Sequence, residues 1–359
     1  MTERLRFLGS QKTVLRWYRG YIMAAYPFSD FKKLDAVNPI LKPREDTWFV
    51  CPYAGRVAWE AKDVFNPAAV VHRGRVALLY RAEDNVGRYL GTSRIGLAWS
   101  TDGIHFEREP RPVLFPGLDR WARYEWEGGC EDPRIVKLPS GAYLLTYTMY
   151  DGMVARLATA SSRDLWSWEK YGPAFPKTPD LWSKAGAIVV KDTPDGLEAA
   201  LINGRLWMYW GESSIFLASS RDGEHWEILC DNDGEPKALL SVRPGHLDSN
   251  LVEPGPPALL TPKGIILSYH GKNHSDPGGD PKFPAGAYSS FTATFDPTDP
   301  ARLVHRDDAP WFMPDRPGEC EGQVGHVCFV EGMVRFDRKW LAYYGTADSS
   351  IAVAEAPVK

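Results

Sequence analysis

Three stretches decide the fold: "IGLAWSTDGIHFE" (95–107), "RLATASSRDLWSWE" (156–169) and "IFLASSRDGEHWE" (215–227). Aligned on Asp102, Asp164 and Asp222, each carries an alanine four residues earlier (Ala98, Ala160, Ala218) and a serine two earlier (Ser100, Ser162, Ser220). Four residues later stands an aromatic: Phe106, Trp168 or Trp226. The aspartates are spaced by 62 and 58 residues. Every copy reads as a strand of small, β-prone residues, a polar turn, and an aromatic that opens the next strand. Serine and aspartate suit the turn because their short side chains bond the local backbone.

A period of about 60 residues with several short strands per copy is the pattern of a propeller blade. Later copies blur. "SSFTATFDPTDPARL" (289–303) keeps the strand and the aspartate turn, and "SSIAVAEAPV" (349–358) keeps only the strand. The expectation is an all-β protein, a five-bladed β-propeller over residues 46–359, behind an N-terminal arm (1–45). "QKTVLRWYRGYIMAAY" (11–26) suggests one helix around residues 10 to 35, either capping the propeller or joining a neighbouring subunit of a homo-oligomer. A two-sheet sandwich does not explain repetition at this length.

Composition narrows the function classes. The 359 residues include 14 Trp, 16 Tyr and 15 Phe, and aromatics both pack β cores and stack on sugar faces. A net charge of −4 offers no basic field for a phosphate backbone, so no nucleic-acid partner is expected. No apolar run approaches the roughly 20 residues of a membrane span, so no membrane partner is expected either. Five scattered cysteines without a CxxC pair read as free thiols. With no clear signal peptide, the expectation is a cytoplasmic protein.

A propeller gathers its site from residues far apart in sequence, one or two per blade. Polar groups recur at that spacing: Asn66; Arg81, Glu83 and Asp84; Ser93 and Arg94; Glu131, Asp132 and Arg134; Lys184; Glu212; Asp248 and Glu253; His270; Glu319 and Glu321; Asp348. Arg81 and Arg134 also suit plain pairing with carboxylates of neighbouring blades, and Asp102, Asp164 and Asp222 are turn formers. Within "GGCEDPRIV" (128–136), Asp132 precedes Pro133, which removes a backbone donor and fixes the turn. Glu131 beside it tends to raise one pKa of the pair, and Arg134 opposes that. A carboxyl that stays protonated near neutrality can act as a general acid, and a second carboxylate can serve as the base for water. His270 and His274 have i,i+4 spacing, but their Gly-rich segment reads as loop, so no metal or cofactor is expected.

The ordered set "FNPAAV", "LLYRAED", "SRIGLAWSTDGIHF", "GCEDPRI", "GPPALLT", "LSYHG" and "YYGTAD" resembles glycoside hydrolase family 130, the β-mannoside phosphorylases and β-1,2-mannosidases. The resemblance runs from about residue 40 to the C-terminus. It implies a five-bladed propeller acting on β-mannosides with inversion, with an oligosaccharide as partner and Asp132 as proton donor, in some members through a substrate hydroxyl. Phosphorylases of the family carry "HRP" and "KxGAGPPP", whose Arg and Lys hold phosphate. Here "MYWGES" and "LVEPGPP" put Trp210 and Leu251 at those places, with Glu212 and Glu253 close by. That pattern resembles the hydrolases, whereas His270 in "YHG" matches a phosphate contact of the phosphorylases.

The expectation is therefore an inverting, exo-acting β-mannosidase for β-1,2-linked manno-oligosaccharides. Asp132 is its acid, and Glu212 or Glu253, unranked, is its base. Asn66, Arg81, Arg94, Glu131, Arg134, Asp248 and Asp348 would serve the sugar, and Lys184, Tyr269 and His270 the water or leaving-group side. The rivals are a phosphorylase, with inorganic phosphate as co-substrate, and a non-catalytic carbohydrate-binding propeller.

Overall fold

The computed structural model describes residues 28–358 except 90 and 276. Most of the helix expected around residues 10 to 35 lies outside them. Its last part is a 3-10 turn, Phe28–Asp30, and a two-residue strand, Lys32–Lys33. Elsewhere the described chain is strand, turn and loop, with α-helix only at Ala122–Glu125 and Pro317–Cys320. The protein is all-β.

The described strands form five successive antiparallel meanders, whose first strands are Asp63–His72, Gly129–Lys137, Ala187–Thr193, Leu251–Pro254 with Ala258–Thr261, and Cys328–Phe336. Four of them run onward to a short fourth strand. The last borrows its fourth strand from the other end of the chain, where Lys32 faces Glu355 and Lys33 faces Ala354. The Lys33 ammonium is buried against Glu319 at 2.6 Å and Asp315 at 2.5 Å. Removing one partner of a buried pair costs about 3–5 kcal/mol, so this contact fastens the closing strand.

The repeated turns share one chemistry. Ser100, Ser162 and Ser220 each accept a 2.8 Å bond from the backbone N–H three residues on. Asp102, Asp164 and Asp222 each accept two backbone N–H bonds. The Trp168 and Trp226 indoles donate back to the turn carbonyls of Leu165 and Gly223 at 3.1 Å.

Three first strands break register near their start: between Phe65 and Pro67, between Glu131 and Arg134, and between Val330 and Gly332. A bulge adds a residue that leaves the ladder and re-aims its side chain. Proline suits the next position because it has no N–H to give. Asn66 and Asp132 take left-handed backbone, φ 48° and 47°. Gly332 has another role: a Cβ there would sit 2.7 Å from the Pro67 carbonyl, so only glycine lets the first and last of these strands approach so closely. The apolar alternation buries Trp59, Trp210 and Trp340 between sheets.

Candidate active site

The bulges bring Asn66 and Asp132 together. Asn66 Nδ2 donates to Asp132 Oδ1 at 2.7 Å, and Arg81 Nη1 donates to the same oxygen at 3.0 Å. Arg81 Nη2 lies 3.0 Å from Glu131 and 2.7 Å from Glu83, which Lys62 also holds at 2.7 Å. Lys184, on the loop before the third meander, stands 3.7 Å from Asp132 Oδ2 and 3.8 Å from Glu212 Oε1. The Glu212 and Asp132 oxygens are therefore separated by no more than those two legs together, about 7.5 Å. Glu212 also accepts the Trp182 indole N–H at 2.8 Å.

Arg134 ties the first strands of the fourth and fifth meanders to its own. It donates to the Pro254 carbonyl at 2.8 Å and the Gly255 carbonyl at 2.9 Å, with Glu331 at 2.7 Å and Glu253 at 4.0 Å. Asp348, on left-handed backbone with φ 52°, feels Arg81, Asp132 and Lys184. The cluster thus joins seven carboxyl groups (Glu83, Glu131, Asp132, Glu212, Glu253, Glu331, Asp348) with four cations, Lys62, Arg81, Arg134 and Lys184.

That imbalance sets the protonation. Burial, opposed by Lys184 and reinforced by Glu212, pushes the Glu253 carboxyl up to about 7. Burial likewise lifts Asp348 to about 7, against Arg81. Burial raises Glu331 well above the carboxylate range despite Arg134. Glu131 and Asp132, held on two arms of one guanidinium, split. Burial and the neighbouring Asp132 charge raise Glu131 against the pull of Arg81. Burial acts on Asp132 too, but Arg81, Lys184, the Asn66 hydrogen bond and Arg134 outweigh it and hold the carboxyl low. The sequence led us to expect the proton on Asp132. Arg81 and Lys184, which both face Asp132, instead favour its ionised form, and Glu131 is the group shifted toward the protonated one.

Several residues named from the sequence lie elsewhere. Arg94 is fully buried, with its guanidinium on Asp84 at 2.6 Å and the Thr92 carbonyl at 2.9 Å. Asp248 and Tyr269 belong to a second ion-pair cluster, where the Tyr269 hydroxyl donates to Asp248 at 2.9 Å and Arg243 and Arg306 both hold Asp248. Strand alternation separates Tyr269 from His270. His270 stacks on Phe329 at 3.8 Å, with Nε2 3.0 Å from the Val330 carbonyl and Nδ1 3.3 Å from Ser290. Burial and Arg134 lower its pKa to about 3, so it is no cation for an anion to meet. Trp210 packs on Phe175 and Phe216 in the core and does not replace a site cation.

Four groups at the site, Lys62, Trp182, Glu331 and Tyr288, escaped the sequence reading. Glu331 lies at the fifth strand's bulge, and its "VEGM" offers the same cue as "FNPA" and "EDPR": a polar residue before Pro or Gly inside an apolar strand. Tyr288 feels Glu253, Lys184, Glu212 and Asp348, and nothing in its local sequence marks it. A separate cavity of about 670 Å³, lined by His72, Arg73, Lys137, Arg163 and Arg335 among others, lies at the far ends of the same strands.

The family model described as β-1,4-mannooligosaccharide phosphorylase, glycoside hydrolase family 130, matches residues 32–359. A 1,2-β-oligomannan phosphorylase of Thermoanaerobacter sp. (strain X514) is 29% identical over 90% of this chain and 96% of its own. A glycosyl hydrolase structure from Bacteroides ovatus is 43% identical with TM-score 0.88, covering 94% of this chain and 99% of that one. Another structure, from work stating that this family of mannoside phosphorylases contains glycoside hydrolases that target β-1,2-mannosidic linkages in Candida mannan, is 42% identical with TM-score 0.89, over 95% and 97%. With its family match spanning nearly the whole chain and its carboxylates gathered at strand bulges, this protein belongs to glycoside hydrolase family 130.

Proposed function

We propose that the five meanders are the blades of a propeller and that the carboxylate cluster, at one mouth of its funnel, hydrolyses terminal β-1,2-linked mannosides with inversion. One observation carries the choice of water over phosphate. Each cation in the cluster already has a carboxyl partner at 3.7 Å or less, so a dianion would have to displace one of these partners to gain a counter-charge. The identity of 42–43% to structures described as hydrolases, against 29% to a phosphorylase, supports the same reading. The phosphorylases among its relatives favour the alternative, attack by phosphate.

Asn66, Arg81 and Asp348 hold the terminal mannose. Seating the sugar strips the last water from Asp132, which raises its carboxyl, and the proton on Glu131 is at hand. Asp132 then protonates the leaving oxygen as the glycosidic C–O bond breaks. Water attacks the anomeric carbon from the opposite side and gives its proton to Glu253, whose carboxyl near 7 suits a base at neutral pH. Glu212 holds the same water. The upper bound of about 7.5 Å on the gap between Glu212 and Asp132 overlaps the roughly 6.5–9.5 Å of an inverting pair.

The test is β-1,2-mannobiose incubated with and without phosphate and followed by proton NMR. The expected first product is α-mannose at a rate indifferent to phosphate. Mannose 1-phosphate as the main product overturns the reading.

A further inference from the structure

Exposure climbs along a chain of contacts leading out of the cluster. The Asp132 side chain is 5% exposed, Lys184 18% and Glu212 22%, and Trp182, bonded to Glu212, is 48% exposed. A large aromatic ring left half in water beside the cluster offers a face on which a sugar can stack. The ring is also fixed. Ser183 beside it donates to the Ala155 carbonyl at 3.0 Å, and its hydroxyl accepts the Leu157 N–H at 3.0 Å. The Gly211 N–H bonds the Lys184 carbonyl at 2.9 Å. Arg156 ties the loop on the other side, reaching the Pro179 carbonyl at 2.6 Å, Asp180 at 3.0 Å and, in the neighbouring loop, Asp151 at 2.7 Å. In that loop a Cβ on Gly152, whose φ is +91°, would sit 2.1 Å from the Tyr89 ring, so glycine lets a second exposed aromatic lie down there.

We infer that Trp182 is a specificity-determining residue, the platform on which the first pyranose of the leaving group stacks, so that the site is built for oligosaccharides rather than simple mannosides. The inference rests on the mannoside reading above and extends it to the leaving side. On the reading above the terminal sugar lies beside Asn66, Arg81 and Asp348, and the contacts through Lys184 and Glu212 lead from there to the indole. A rigid tryptophan loses little freedom when a ring covers it, which is why such residues dominate binding surfaces. Its N–H meanwhile keeps Glu212 aimed inward.

The experiment measures dissociation constants by calorimetry in an Asp132→Asn background, for β-1,2-mannotriose and for methyl β-mannoside, which has nothing to lay on the indole. Trp182→Ala is expected to weaken mannotriose about tenfold, the worth of one aromatic stacking contact. Methyl β-mannoside binding stays within about twofold of the parent and reports that the fold is intact. Trp182→Phe, which keeps the ring and loses the N–H, retains most of the mannotriose affinity. Equal losses for both ligands, or no loss for mannotriose, overturn the platform. Wild-type turnover is read separately. An enzyme idle on every β-mannoside sinks the mannoside reading, and a parent variant that binds no mannotriose sinks both.

Discussion

Lys184 Nζ stands between Asp132 and Glu212, 3.7 Å from one carboxylate and 3.8 Å from the other. Its own pKa is raised because Glu253, Asp132, Glu212 and Glu131 together outweigh the cost of burial. It lowers both the proposed acid, Asp132, and the proposed base, Glu253, and on each it outweighs Arg134, which acts in the same direction. Lys184→Met should raise Asp132 and Glu253 together. The acid limb of the pH–rate profile, where the base loses its proton acceptor, then moves to higher pH, and kcat/KM at neutral pH falls about a hundredfold. A limb that stays in place while the rate falls would mean that Lys184 acts only by touching substrate.

Asp132→Asn tests the proton donor. An amide keeps an oxygen for Asn66 and Arg81 but has no acidic proton, so turnover of β-1,2-mannobiose should fall by roughly 10²–10⁴. An aryl β-mannoside whose phenolate leaves without protonation should lose far less. Equal losses on both substrates would place Asp132 in sugar binding alone.

The three repeated turns were legible because they are local. Ser100 and Asp102 bond backbone within three residues, so the pattern survives in the letters. The last meander was harder to see because its fourth strand comes from residues 32–33, more than 300 positions away. At the site, Asn66 and Asp132 could be found because Pro67 and Pro133 mark the bulges. Arg94 and Tyr269 carry the same kinds of side chain on strands of the same meanders, yet alternation turns them into other clusters, and Asp248 meets Tyr269 from a loop. One residue's shift in register changes the face, and no local signal fixes that register. The groups that hold the Asp132 carboxyl low were hidden for a related reason: Arg81 and Lys184 reach it from distant parts of the chain, whereas the sequence displays only Glu131 and Arg134 beside it.

Glu253 makes a stability test with a definite sign. Its carboxyl sits at about 7 in the fold against an ordinary 4.5. The folded state therefore binds more protons than the unfolded chain between those values, and stability is lost as pH rises through that window. Asp348, also near 7, acts in the same direction, whereas His270, held neutral down to about 3, opposes it below the ordinary histidine range. The difference between Glu253→Gln and wild type cancels the others. Below about pH 4, under both values, the two should melt alike. At pH 8 the variant should be more stable by an amount on the order of 3 kcal/mol, while losing activity. A stability gap that is constant across pH would show that Glu253 ionises as an ordinary surface acid does.

Trp210 separates an alignment argument from a structural one. The motif resemblance sets it where family phosphorylases carry an arginine, which invites the idea that Trp210→Arg would restore phosphate binding. The side chain, however, is 1% exposed, with its ring 4.6 Å from Phe175 and 4.9 Å from Phe216. An arginine there buries a charge against aromatic rings, a substitution of the kind that costs more than about 4 kcal/mol. The expected outcome is a protein that melts well below wild type and makes no mannose 1-phosphate. The milder Trp210→Phe should lose some stability through a small cavity and keep hydrolysis unchanged. Phosphate-dependent turnover by a folded Trp210→Arg would mean that the loop carrying Glu212 can turn this position toward the pocket, and the electrostatic case against phosphate would then fail at its base.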